Sequence, residues 1–167
     1  MNPAQIHLAL NHAPLFLSVI GGGLLLWGFI KKNPSFTPPA LYMLMAAALF
    51  TIPVYLTGEG TEELVEHMAG VNEAAIEKHE EVAKMALVII SLTGVAALAA
   101  LFTGRSKKVH TLMVTTAMLL SLASFITMAQ AAHRGGMIRH TEMNNGAAAA
   151  AEQEQGDNGK EQEKDDD

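Results

Sequence analysis

The chain of 167 residues contains no cysteine. That excludes disulfides, iron–sulfur clusters, thiolate metal ligands and covalent attachment of a c-type haem. Charge is scarce as well: Asp, Glu, Lys and Arg together make up 17% of the residues. The formal net charge of −6 arises entirely between residues 152 and 167, which carry eight acids and two bases; the rest of the chain carries nine of each. The acidity therefore belongs to a tail and says nothing about the body of the protein. No nucleophile–base pair, phosphate-binding loop or paired acids are recognisable, so no catalytic activity follows from the residues. The Glu-x-x-His spacing of di-iron bundles is also missing. Glu63 and His67 are four apart and Glu77 and His79 two apart. No nucleic-acid partner is expected.

What the chain has in quantity is hydrophobic residues, at 50%, with a positive mean hydropathy. Four apolar stretches stand out, at about 6–30, 40–57, 85–103 and 109–132. A hydrocarbon core of about 30 Å takes roughly 20 helical residues to cross. Each stretch meets that length, and soluble core helices rarely come in four such runs with so few interior charges. The expected fold is an all-α, integral membrane, up-down-up-down four-helix bundle. Its helices fall at about 5–31, 39–57, 75–103 and 108–133, with a loop at 58–78. Residues 1–143 form the bundle domain. From Asn144 onward a run of alanines gives way to Glu, Gln, Asp and Lys, which cannot bury a core, so 144–167 reads as a disordered acidic tail.

Charge between the stretches sets the orientation. Lys31, Lys32, Arg105, Lys107 and Lys108 lie at one pair of ends, whereas the segment 58–81 holds eight acids and only Lys78 as a base. The excess of Lys and Arg in short loops marks the cytoplasmic side. Both termini and the acidic loop are then non-cytoplasmic, with Arg134 and Arg139 in opposition. The bacterial inner membrane is the expected location, with a multi-pass topology. No Lys or Arg precedes the first apolar run and no small-residue cleavage site follows it, so it reads as a retained span rather than a signal peptide. Asn2-Pro3 fits an N-cap and first helical position. Pro14 removes a backbone donor and crowds the carbonyl of Leu10, so a kink or a helix start is expected there. Gly21-Gly22-Gly23, Ala46-Ala47-Ala48 and Ala96-Ala97 read first as close-packing surfaces between helices, with room for a flat cofactor as the second reading of the glycines. The ten methionines read as core filler.

The seven histidines are sorted to one side. On this topology His7, His12, His67, His79, His133 and His140 belong to the outer side, and only His110 to the cytoplasmic boundary. Taken singly, His67 reads as solvated, His110 as interfacial and His140 as tail, and the acid-rich 73–84 segment as a solvated helix. His7 and His12 cannot face one point unless Pro14 distorts the helix. His12, His79 and His133 come from three different helices at similar depth. Polar groups near a bilayer are costly and usually face the bundle interior. This trio is therefore the leading ligand set, for haem b or for a transition metal ion. His7 and His140 are further haem-ligand candidates. Arg134 could pair a propionate, and Asn11 or Gln130 could orient a ring. The cytoplasmic side offers His110 alone, which argues against a two-haem relay across the membrane.

The opening Ile6-His7-Leu8-Ala9-Leu10-Asn11-His12-Ala13-Pro14 resembles the His-Pro-x-x-x-His-Phe-Pro start of a family of uncharacterised four-helix bacterial membrane proteins. Thr57-Gly58 after the second helix and His79 at the opening of the third match it as well. Leu8 and Ala13 depart from the motif. The resemblance spans roughly residues 6–133 and implies haem b as cofactor, with His7, His12, Pro14, Gly58 and His79 at matching positions. It does not reach His133 or His140; the 132–140 segment reads as a local addition in which Gly135 and Gly136 end the fourth helix.

The expected function is a small b-type haem electron-transfer protein with its site near the outer face, a respiratory-chain subunit or its partner. Quinol or an external electron carrier, other membrane subunits and the lipid bilayer are the expected partners. Two alternatives stand: a membrane protein that binds or transports a transition metal, and an accessory subunit whose histidines only form hydrogen bonds. The orientation is directly testable: tags at the C-terminus and in the 58–81 segment should be accessible from outside intact spheroplasts, and a tag at Asn33 should not. A cytoplasmic C-terminus would move the histidine-rich end to the other face.

Overall fold

The computed structural model describes residues 2–65 and 73–139, all in helices and their short connections, with no strand among them. The order is α1 (Pro3–Leu10), α2 (His12–Ile30), a 3-10 turn (Pro34–Phe36), α3 (Thr37–Val65), α4 (Glu73–Phe102) and α5 (Lys107–Arg139). Because α1 and α2 follow one another across a single residue, they make one broken span. The result is four spans, each long and apolar enough to cross a membrane.

Local chemistry explains the boundaries. Asn2 accepts a hydrogen bond from the Gln5 amide while the Gln5 side chain returns to the Asn2 amide, a capping box with Pro3 at the first helical position. The break falls at Asn11, as Pro14 requires: the Leu10 carbonyl loses the amide that would have reached it. Asn11 itself stays right-handed (φ −58°, ψ −26°), so the chain continues onward rather than turning back. At the other end of α2, Lys32 adopts φ 51°. The Asn33 amide reaches Gly28 O at 2.9 Å and the Lys32 amide reaches Phe29 O at 3.2 Å, the paired bonds of a Schellman motif. Lysine here occupies the left-handed position usually given to glycine.

Two boundary expectations are corrected. Residues 58–65, read as loop, are helical, and α4 begins at Glu73, close to the expected start near 75, with its acidic first turns helical as read. On α4 the acidic residues Glu73, Glu77 and Glu81 are exposed, and Glu80 pairs with Lys84 one turn on at 2.6 Å. Gly135 and Gly136 do not end the last helix, which continues to Arg139. The contact made by Gly135, described below, gives the reason for a glycine in mid-helix. The 144–167 tail, His67 and His140 lie outside the described residues.

The four spans form a ring in which α2 packs on α3, α3 on α4, α4 on α5 and α5 on α2. The first pair is antiparallel: Pro3 meets Gly60, His7 meets Gly58, Gly21 meets Leu44 and Gly28 meets Phe36. So is the last: His79 meets Ala131, Thr93 meets Ser124 and Ala100 meets His110. The interior is built from small and hydroxyl-bearing residues. Ala40, Ala47, Ala97, Ala100 and Ala117 are fully buried, as are Thr93 and Ser124, whose hydroxyls bond each other at 2.9 Å. Ser18 donates to the Ser121 carbonyl at 3.3 Å. Leu41, Leu44 and Ile90 are buried among them, but many large apolar residues point outward, including Phe29 at 74% exposure and Phe102 at 80%. This is the reverse of a water-soluble core and suits lipid as the surrounding medium.

The packing reading of the glycines holds at two of the three positions. A Cβ on Gly21 would stand 2.9 Å from Leu44, and one on Gly22 would collide with the Ser121 hydroxyl, whereas Gly23 meets nothing within 4 Å. On α4, a Cβ on Gly94 would lie 2.5 Å from that of Ala48. Gly94→Ala should therefore destabilise the detergent-solubilised protein by about 1–3 kcal/mol through overpacking. Gly23→Ala should stabilise it by up to about 1 kcal/mol through helix propensity. Denaturant titration monitored by circular dichroism checks both, and an equal response of the two variants would contradict this packing.

Candidate functional site

At the end of the bundle where α1 begins, two imidazoles are held in the same way. His7, on α1, places Nδ1 2.9 Å from the Val54 carbonyl of α3. His79, on α4, places Nδ1 2.9 Å from the Ala131 carbonyl of α5. A carbonyl can only accept, so in each neutral ring Nδ1 carries the proton and donates it. The tautomer is thereby fixed and Nε2 is left with its lone pair. Neither Nε2 makes a hydrogen bond to another described residue.

Both carbonyls already belong to a helical ladder, and their second lone pair is reachable for a definite reason. Helical side chains lean toward the N-terminus, so residue i+4 shades the carbonyl of residue i. Four residues after Val54 comes Gly58, and four after Ala131 comes Gly135. A Cβ on Gly58 would lie 3.3 Å from His7 Cε1 and 3.4 Å from its Nδ1. On Gly135 it would lie 3.1 Å from His79 Cε1 and 3.3 Å from its Nδ1. Each glycine thus vacates the space its ring occupies.

Both rings lie at the same end of the bundle: His7 meets α3 at Val54 and Gly58, and His79 meets α5 at Ala131 and Gly135.

The expected trio of His12, His79 and His133 is not what lines this end. His12 is exposed, its ring stacked near Phe16 with centroids 6.4 Å apart, and His133 is exposed on α5. Arg134 is exposed beside it, in an open groove lined only by α5 residues such as Phe125, Ala129 and Met137. The helical period explains the difference. His12 is five residues beyond His7 and so lies on another face of the span, while His7 takes the inward one. No cluster of three or more His, Asp or Glu able to hold a bare metal ion occurs among the described residues. His110, at the opposite end, places Nδ1 2.9 Å from the Ala100 carbonyl and so caps the last turn of α4. Gln130 is exposed, and the Asn11 Oδ1 is buried without a hydrogen-bond partner among the described residues.

Fold and site together define a class: an all-helical bundle of four spans of membrane-crossing length, with two backbone-anchored imidazoles at one end. No family model, curated protein or solved structure matches the chain.

If Gly135 sets the His79 contact, Gly135→Ala should push the ring off the Ala131 carbonyl and shift its 15N imidazole resonances. Gly136→Ala, which meets nothing within 4 Å, should leave them in place. Unmoved His79 resonances in Gly135→Ala would show that the glycine does not set the contact.

Proposed function

We propose that this chain is a small multi-pass inner-membrane protein that carries a b-type haem near the non-cytoplasmic end of its bundle and passes electrons between quinol, or an external electron carrier, and a respiratory chain. The observation that supports this reading most is His79: an imidazole on a helix of a membrane-type bundle, its Nδ1–H given to a backbone carbonyl and its Nε2 left as a Lewis base. That is the arrangement by which proteins orient metal-ligating histidines, the second ring nitrogen being tied to a carbonyl or carboxylate. Haem iron takes neutral imidazole as its axial ligand, and cofactor sites in helical bundles are built from side chains on facing helices. The resemblance of residues 6–14 to a haem-associated opening agrees with it.

The haem supplies one-electron chemistry; the chain's part is to hold it, orient its ligand and exclude water. Placing the site at the outer end follows from the Lys and Arg bias of the short turns. The closely packed middle of the bundle, where Gly22 meets Ser121 and Gly94 meets Ala48, leaves no room there for a second flat cofactor. A single site at one face suits exchange with a carrier on that face. Of the alternatives, a bare transition-metal site finds less support, because the described residues bring no third protein ligand to His7 and His79.

The test is the visible spectrum of the purified full-length protein. A Soret band is expected, reduced or shifted in His79→Ala and nearly unchanged in His110→Ala, whose ring sits at the far end of the bundle. A colourless protein that takes up no added hemin would overturn the reading, and stoichiometric zinc or copper instead would favour the metal alternative.

A further inference from the structure

Constant sequence intervals relate the first helical hairpin to the second. One constant interval carries His7 onto His79 and Gly22 onto Gly94. The buried residues of α2 are Pro14, Ser18, Gly21, Leu25 and Gly28, and the same interval carries them onto Ala86, Ile90, Thr93, Ala97 and Ala100, all buried on α4. A second constant interval, slightly longer, relates α3 to α5. It carries Ala40, Leu44 and Ala47 onto Ala117, Ser121 and Ser124, again all buried. Inward stripes of heptad type would align at some offset in any pair of helices. What that does not explain is that these same offsets carry a histidine onto a histidine, its acceptor carbonyl Val54 onto Ala131, and the glycine beneath its ring, Gly58, onto Gly135. We infer that the bundle repeats a helical hairpin with a complete imidazole-holding device, the two hairpins facing each other around a pseudo-twofold axis.

Pseudo-symmetry makes the two rings equivalent, and the packing separates the helices that bear them. Each span has two neighbours in the ring, and α1–α2 and α4 are a diagonal pair: among the described residues no Cα of one lies within 8 Å of a Cα of the other. Both rings lie at the same end of the bundle, and each donates Nδ1–H to its own hairpin partner, so neither occupies the other's acceptor. We infer that His7 and His79 form one two-imidazole site on the pseudo-twofold axis, the axial ligand pair for the haem proposed above, with Gly58 and Gly135 as positioning residues. The inference rests on the haem reading and adds to it the identity of the second ligand, the six-coordinate state and the stoichiometry. The chemistry favours a macrocyclic metal: two opposed imidazoles satisfy only the axial positions of an octahedral iron, and the described residues add no third ligand.

The test uses the full-length protein in detergent, as isolated and after stripping and titration with hemin, read by electron paramagnetic resonance and visible spectroscopy. Wild type should be low-spin and six-coordinate. His7→Gly and His79→Gly should each lose the low-spin signal, becoming high-spin or haem-free, and added imidazole should restore it in both. His12→Gly and His133→Gly should behave as wild type. Gly58→Ala and Gly135→Ala, which keep both ligands but crowd their rings, should each weaken hemin binding roughly tenfold, as loss of ligand orientation does. These two variants also decide the matter should a histidine variant fail to fold. A low-spin signal that survives unchanged in either His7→Gly or His79→Gly overturns the pairing while leaving a haem protein. Wild-type protein that takes up no hemin overturns the haem reading and the pairing together. Loss of low-spin character in His12→Gly as severe as in His7→Gly would move the second ligand to His12.

Discussion

Each inward imidazole donates to a carbonyl that already serves a helix, and in both cases the residue four on is a glycine, Gly58 or Gly135. That constraint couples three positions on two helices: a histidine, a carbonyl and a glycine. In lipid such a bond is worth only about 0.6 kcal/mol on average. Its importance is therefore geometric more than energetic. It sets the tautomer, holds the ring edge-on to the neighbouring helix and fixes which nitrogen faces the space between the hairpins.

The rest of the bundle works under the same condition of close approach. With lipid outside, burying large apolar side chains gains little, and association depends on packing and interhelical hydrogen bonds. Accordingly Gly21, Gly22 and Gly94 face Leu44, Ser121 and Ala48, and the hydroxyls of Thr93 and Ser124 join α4 to α5. Many of the large apolar side chains, Phe29 and Phe102 among them, go to the outside, while Leu25, Leu41 and Leu44 stay within. The tight middle and the ring-bearing end are thus two uses of one device, the absent side chain: in the middle it lets backbones close, and at the end it admits an imidazole.

Much of this was legible in the residues. Four apolar runs gave four helices of spanning length, Asn2-Pro3 gave the capped start, and Pro14 gave the break at Asn11. Helix ends were less legible, because α3 continues through the polar residues 58–65 after its apolar signal has stopped. The candidate site was half legible. His79 is where convergence of depth placed it, but depth does not give azimuth: it ranked His12 and His133 above His7, and the fold turns the first two outward. The signal that separates them was present as Gly58 and Gly135. A glycine inside a helix can be a stop, and Gly135-Gly136 reads as one until the ring of His79 is seen against it. The correspondence between the hairpins was hidden because few side chains are shared between them; what matches is a pattern of burial.

Haem stoichiometry tests the shared site most directly. Pyridine haemochrome absorbance against amino-acid analysis, on full-length protein saturated with hemin, counts b-type haems per chain. One haem per chain is the result that the proposed pairing of His7 and His79 predicts. Two per chain would show that each hairpin holds its own haem and would contradict the shared site, and none would contradict haem binding itself.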